Sequence, residues 1–161
     1  MFRVRIAPLP DGLHEETLRP AAADLDLDPD VFSDLEVDVR LDVAERRVLV
    51  AYTVSATARL ECDRTLDPYD ESVEGSHAVL FSAEATEPDD DVRPLADDAV
   101  EVDVTDAVRD TLLLALPLRR VSPAARDAEI PTAFGDDDAP ADPRWAALRA
   151  LRPADDPDSS D

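Results

Sequence analysis

A single thiol, Cys62, lies between two guanidinium groups, Arg59 and Arg64. A thiol beside cations is a setting for a thiolate nucleophile or a metal ligand. Zinc asks for about four ligands, commonly in C-x2-C and H-x3-H pairs. The two histidines, His14 and His77, stand far from Cys62 and from each other. Neither neighbours a Ser or Cys in a nucleophile–base motif. The favoured reading makes Cys62 a small buried side chain at a strand end, and both histidines surface or strand residues. Asp89–Asp91 and Asp136–Asp138 lack the alternating acids, central Gly and closing Glu of a calcium loop, so they read as solvated charge. No nucleophile–base pair or ligand set remains. The chain is therefore expected to be no enzyme and to need no metal or cofactor.

Arginine is the remaining source of binding chemistry. All 16 basic residues are Arg, and Lys, Asn and Gln are absent. Arg46 and Arg47 share a turn, Arg59 and Arg64 flank Cys62, and Arg119 and Arg120 follow a helix stop. Folding that joins two of these groups makes a basic spot on an acidic body. The plainer alternative, which the sequence favours, pairs each Arg with a neighbouring acid. Trp145, the only Trp, could anchor a partner; an intramolecular dock is favoured. The candidate partner- or RNA-binding residues are thus Arg59, Cys62, Arg64, Arg119, Arg120 and Trp145.

Charge excludes whole classes of partner. Against those 16 arginines stand 28 Asp and 11 Glu, a net charge of −23. That rules out a basic nucleic-acid-binding surface over the whole protein and attraction to anionic lipid. At low ionic strength such a charge repels itself. At 1 M salt the screening length falls to about 3 Å, so an Asp-rich, Lys-free surface suits a molar-salt cytosol. A GC-rich genome is the competing cause, but it would also raise Gly, of which there are only 3. The longest apolar run, Leu112–Leu118, contains Pro117 and is far short of the ~20 residues that span a membrane. The first residues carry no apolar leader stretch, and one cysteine forms no internal disulfide. The expected location is the cytoplasm.

Alternation supplies the elements. Phe2–Ile6 reads as a short strand. Asp11–Leu18 reads as one or two helical turns capped by Asp11 and stopped by Pro20, and Ala21–Asp34 as loop or a short helical turn. Glu36–Val43 and Val48–Leu60 alternate strictly around the turn Ala44–Arg47, which makes a hairpin. Ser72–Ala83 and Ala99–Val104 add strands, with a turn at Asp67-Pro68 and a charged loop at Glu87–Asp91. Thr105 is the expected cap of a helix to Leu116, where Val108, Leu112 and Leu116 recur at i, i+4, i+8 and Pro117 stops the run. The fold class is α+β: a curved, partly barrel-like antiparallel sheet covered by one main helix. A single domain over 1–152 includes a linker at 119–142 and a short docking helix at 143–152, opened by Asp142-Pro143. Residues 153–161 are expected to be an acidic disordered tail.

Three stretches together resemble the YceD-like family of large ribosomal RNA subunit accumulation proteins. Val54–Leu66 is similar to the family's alternating strand that ends in Leu-Glu-Cys and then Arg. Val108–Pro117 is similar to its acidic-then-leucine helix closing in Leu-Pro, and Asp142–Leu151 to its terminal Asp-Pro-x-Trp helix. The resemblance covers roughly Glu36–Leu151. It implies a non-enzymatic role in accumulation or processing of large-subunit ribosomal RNA, with a ribosomal precursor particle, or a ribosomal or processing protein, as partner. Many family members carry a second Cys where this chain has Thr65, so the metal suspected for the family is not expected here. The rival function is an acidic interaction module for a basic partner, without any RNA role.

Overall fold

A computed structural model describes residues 1–87, 92–126 and 128, and the unit Met1–Asp127 is the one described below. The helix expected over 143–152 with Trp145, the tail 153–161, and the acid runs 89–91 and 136–138 lie outside the described residues.

The alternating segments pair as their pattern demands. Strands β1 (Arg3–Arg5), β2 (Gly12–Leu18), β3 (Phe32–Ala44), β4 (Arg47–Glu61), β5 (Pro68–Ser82), β6 (Val92–Pro94) and β7 (Glu101–Asp103) precede helices α1 (Thr105–Ala115) and α2 (Pro123–Arg126). β3, β4 and β5 form an antiparallel meander, with Val37 opposite Val54 and Val50 opposite Val79. Successive side chains of a strand face opposite sides. Val37, Val39, Leu41, Val48, Val50, Val54 and Val79 therefore share one buried face. Arg40, Thr53 and Ser76 belong to the other face. β1 and β7 make a separate two-stranded ribbon with Val4 opposite Val102, and both of these valines join the core.

Three expectations are corrected. Among the described residues the sheet runs β2-β3-β4-β5-β6 and is open, with β2 and β6 as its edges and no barrel closure. It is also mixed, because β6 lies parallel to β5 at Leu80–Ser82. The segment 11–18, expected as helical turns, is strand β2, registered residue for residue against Val37–Val43 of β3. Its helical spacing was short and weak. An unpaired β3 edge offers the backbone N–H and C=O groups of alternate residues of the segment a partner, which outweighs local preference.

α1 covers the buried face through Val108 and Leu112, both fully buried. Its start differs from the expected Thr105 cap: Val104 is the capping residue and Thr105 is already helical. The Asp103 carboxylate accepts the Thr105 N–H at 2.9 Å and the Thr105 hydroxyl at 2.6 Å. That hydroxyl also accepts the Phe2 N–H at 2.6 Å, which ties α1 to the first strand. Where α1 crosses β5, the strand offers Gly75. A Cβ there would meet Thr111 Cγ2 at 2.7 Å, so the missing side chain is what lets the helix seat. Thr111 Oγ1 also hydrogen-bonds the Tyr52 hydroxyl of β4 at 3.0 Å. No helix of the described residues is long and apolar enough to cross a membrane.

Candidate functional site

Where β4 ends, the chain closes a tight loop before β5 begins. The Cys62 N–H donates to the Asp67 carbonyl at 2.9 Å, and the Leu66 N–H donates to the Cys62 carbonyl at 2.8 Å. Leu66 adopts the left-handed conformation (φ 61°), which a leucine takes only when its surroundings impose it. The segment that follows α1 returns to this loop. The Asp63 N–H donates to the Arg120 carbonyl at 2.7 Å, and the Arg120 N–H donates to the Asp63 carboxylate at 2.8 Å. Arg64 donates through Nη1 to the Ala125 carbonyl at the end of α2. Ser122 starts α2, its hydroxyl accepting the Ala125 N–H at 3.2 Å. The first residues of the stretch read as a linker from Arg119 are thus fastened to the β4–β5 loop.

Cys62 sits at the centre of this junction with no solvent exposure, as the small strand-end residue it was expected to be. Its sulfur accepts the Ser122 N–H at 3.4 Å. The Thr65 hydroxyl, then the Ser122 N–H, then the N–H groups of Arg64 and Thr65 bring its pKa down from 9.0 to about 6, against the opposing effect of burial. Donors converging on sulfur favour the thiolate, but a walled-in thiolate meets no substrate. Among the described residues no three His, Cys, Asp or Glu side chains converge as metal ligands. The sulfur's role in this geometry is to accept hydrogen bonds that join two chain segments.

The arginines divide between two fates. Arg3, Arg19, Arg40 and Arg109 pair with acids. Arg59, Arg119 and Arg120 are exposed and enter no ion pair among the described residues. The structure brings Arg64 and the chain at Arg119–Arg120 to one junction. Arg59 belongs to β4, opposite Asp70 of β5, on the sheet face away from α1. Arg46 and Arg47 lie at the β3–β4 turn, the far end of β4. Arg64 is only half-exposed and acts as a clamp, so it is less available to a partner than Arg119 or Arg120.

Two apolar side chains flank this region, Leu66 at 69% exposure and Leu118 fully exposed. The junction therefore offers guanidinium groups and leucines on an otherwise acidic body. Asp63, Ser122 and Ala125 were not legible as its members, because some 60 residues separate the two halves. His14 bonds the Pro10 carbonyl at 2.7 Å, and His77 meets the Tyr52 ring edge-on at 6.3 Å between centroids.

The Bacillus subtilis (strain 168) protein YlbN, described as uncharacterized, is 28% identical over 135 residues that cover 77% of each chain. No solved structure matches the chain. The family model described as large ribosomal RNA subunit accumulation protein YceD matches residues 50–152. That span holds most of β4, the Cys62 loop, α1 and the returning segment Arg119–Arg126. The chain belongs to the YceD family of large ribosomal RNA subunit accumulation proteins.

Proposed function

We propose that this protein is a non-catalytic accessory factor that promotes accumulation or processing of large-subunit ribosomal RNA, and that it meets the ribosomal precursor particle through the junction of the Cys62 loop with Arg119–Arg126. The observation that carries the reading is the family match over residues 50–152, which spans the whole junction. The geometry adds the means. Arg119 and Arg120 are exposed beside a clamped backbone, so their guanidinium groups are held where phosphate or an acidic protein surface can approach. Leu66 and Leu118 supply apolar contact in the same region. The cysteine supports the site from inside and takes no part in chemistry.

A net charge of −23 makes broad electrostatic adhesion to RNA unfavourable, so the contact is local and few phosphates are neutralised. The test is sedimentation of the tagged full chain with large-subunit precursors at native salt. The expected result is co-sedimentation that survives in the wild type and is lost in an Arg119→Glu/Arg120→Glu variant of unchanged thermal stability. Large-subunit RNA should fall relative to small-subunit RNA in cells carrying only the variant. Co-sedimentation and RNA levels indifferent to the double substitution would refute the placement. Recovery of basic non-ribosomal proteins alone would favour a general acidic interaction module instead.

A further inference from the structure

Leu66 is the junction residue whose backbone is most strained and whose side chain the fold uses least. A left-handed backbone suits Gly, Asn or Asp and disfavours other side chains. Here it carries a leucine that stays 69% exposed. The loop imposes the strain through the Leu66 N–H, which reaches back to the Cys62 carbonyl. Asn or Gly would close the same loop at lower cost, so folding alone does not select the leucine. Leu118 repeats the pattern. It is wholly exposed and lies two residues before Arg120, whose backbone is bonded twice to Asp63. Two exposed leucines are thereby brought to one fastened surface from segments that β5 to α1 separate in sequence.

The same surface is electrically balanced. Residues 59–71, the loop with its strand ends, and residues 118–126 together carry five acids and five arginines, on a body of net charge −23. RNA is held by a local excess of cations that neutralise phosphates, often with aromatic rings on which bases stack. The excess is missing here, and Tyr69, the ring of this loop, packs against the core. Exposed apolar side chains within balanced charge are instead the composition of a protein interface. Arg119 and Arg120 add the fork that grips a carboxylate.

We infer that the junction's direct partner is a protein of the precursor particle and not its RNA, and that Leu66 and Leu118 enter an apolar pocket whose rim carries carboxylates for Arg119 and Arg120. This rests on the ribosomal reading and specifies what the site meets.

The test uses the full chain and purified large-subunit precursor particles. Leu66→Asn suits the left-handed backbone, and Leu118→Ser changes a wholly exposed side chain, so both variants should keep or raise thermal stability. Each should weaken association with the particles at least about tenfold, the size of one leucine's lost burial. A photo-crosslinking side chain carried at position 118 should join to protein. RNA extracted from the same particles and freed of protein should bind the parent chain and Leu66→Asn equally weakly. Full association of both leucine variants, crosslinks to RNA, or tight binding of the extracted RNA would overturn the inference. If Arg119→Glu/Arg120→Glu still abolished association, the ribosomal reading would stand without it. Association that survived those arginine substitutions would remove that reading, and this inference with it.

Discussion

Gly75 is where the packing of α1 on the sheet is most exposed to a single methyl group. In Gly75→Ala the new Cβ would lie 2.7 Å from Thr111 Cγ2 and 3.2 Å from the Thr111 carbonyl oxygen. Rotating Thr111 relieves only the first contact, and it breaks the hydroxyl's bonds to the Ala107 carbonyl (2.8 Å) and to Tyr52. Moving α1 outward relieves both, but it lifts Val108 and Leu112 from their fully buried positions. Overpacking of this kind costs about 1–3 kcal/mol, and loss of the Tyr52–Thr111 bond adds about 1 kcal/mol. Replacing a strand glycine by alanine returns about 0.5–1 kcal/mol of chain entropy. The net is a destabilisation of about 2 kcal/mol, which for a unit of this size lowers Tm by about 6–10 °C. Thermal and urea unfolding in molar KCl give the value. Thr111→Ser removes the clashing methyl and keeps the hydroxyl, so in the Gly75→Ala background it should recover part of the loss, as a double-mutant cycle would record. If Gly75→Ala equals or exceeds the parent in stability, or the two substitutions are additive, the close approach of helix to strand is not what fixes α1.

Three further outcomes follow from the same geometry. The Cys62 thiol should titrate near pH 6, visible as thiolate absorbance at 240 nm that is absent in Cys62→Ser. Because the folded pKa lies below the unfolded one, the stabilisation is full above about pH 9, shrinks as the pH falls, and is gone below about pH 6. A pH-independent stability difference between parent and Cys62→Ser across that window would count against it. Arg64→Met should release the returning segment while leaving the sheet intact. Cleavage by trypsin after Arg120 and Arg126 should then quicken several-fold while global Tm changes by only a few degrees, whereas unchanged cleavage would mean that the Asp63–Arg120 pair alone holds the junction. Finally, Tm should climb as KCl rises from millimolar to molar, since a charge of −23 is then screened within about 3 Å; a flat profile would remove salt adaptation as the reason for the acidity.

The parts of the fold legible in the sequence are those in which one residue pattern has one solution. β3 from Glu36 onward and β4 alternate without interruption, and a period of two buries Val37, Val39, Val50 and Val54 together in no other way. Val108 and Leu112 likewise place the face of α1. Asp11–Leu18 misled because three acids and two leucines in eight residues satisfy neither period, and its state is decided by an edge of β3 that local sequence does not reveal. The Cys62 site was half legible. A strand-end cysteine flanked by arginines announces itself, but its partners Ser122 and Ala125 lie in a Pro- and Ala-rich segment with no period, joined through backbone groups that every residue possesses. Arg64 illustrates the consequence: it looked like a binding residue by composition, and its partner turned out to be a carbonyl of its own chain.

The acidity that hid the interaction surface in the sequence also constrains how it works. In dilute salt the repulsion between any two copies acts over ~10 Å. In molar salt that repulsion shrinks to contact range, about 3 Å. The same contraction removes long-range steering of basic partners and of RNA alike. Recognition at the junction must therefore come from groups in contact, Arg119 and Arg120. The junction should consequently respond to substitution at those positions far more than to the net charge of the rest of the protein.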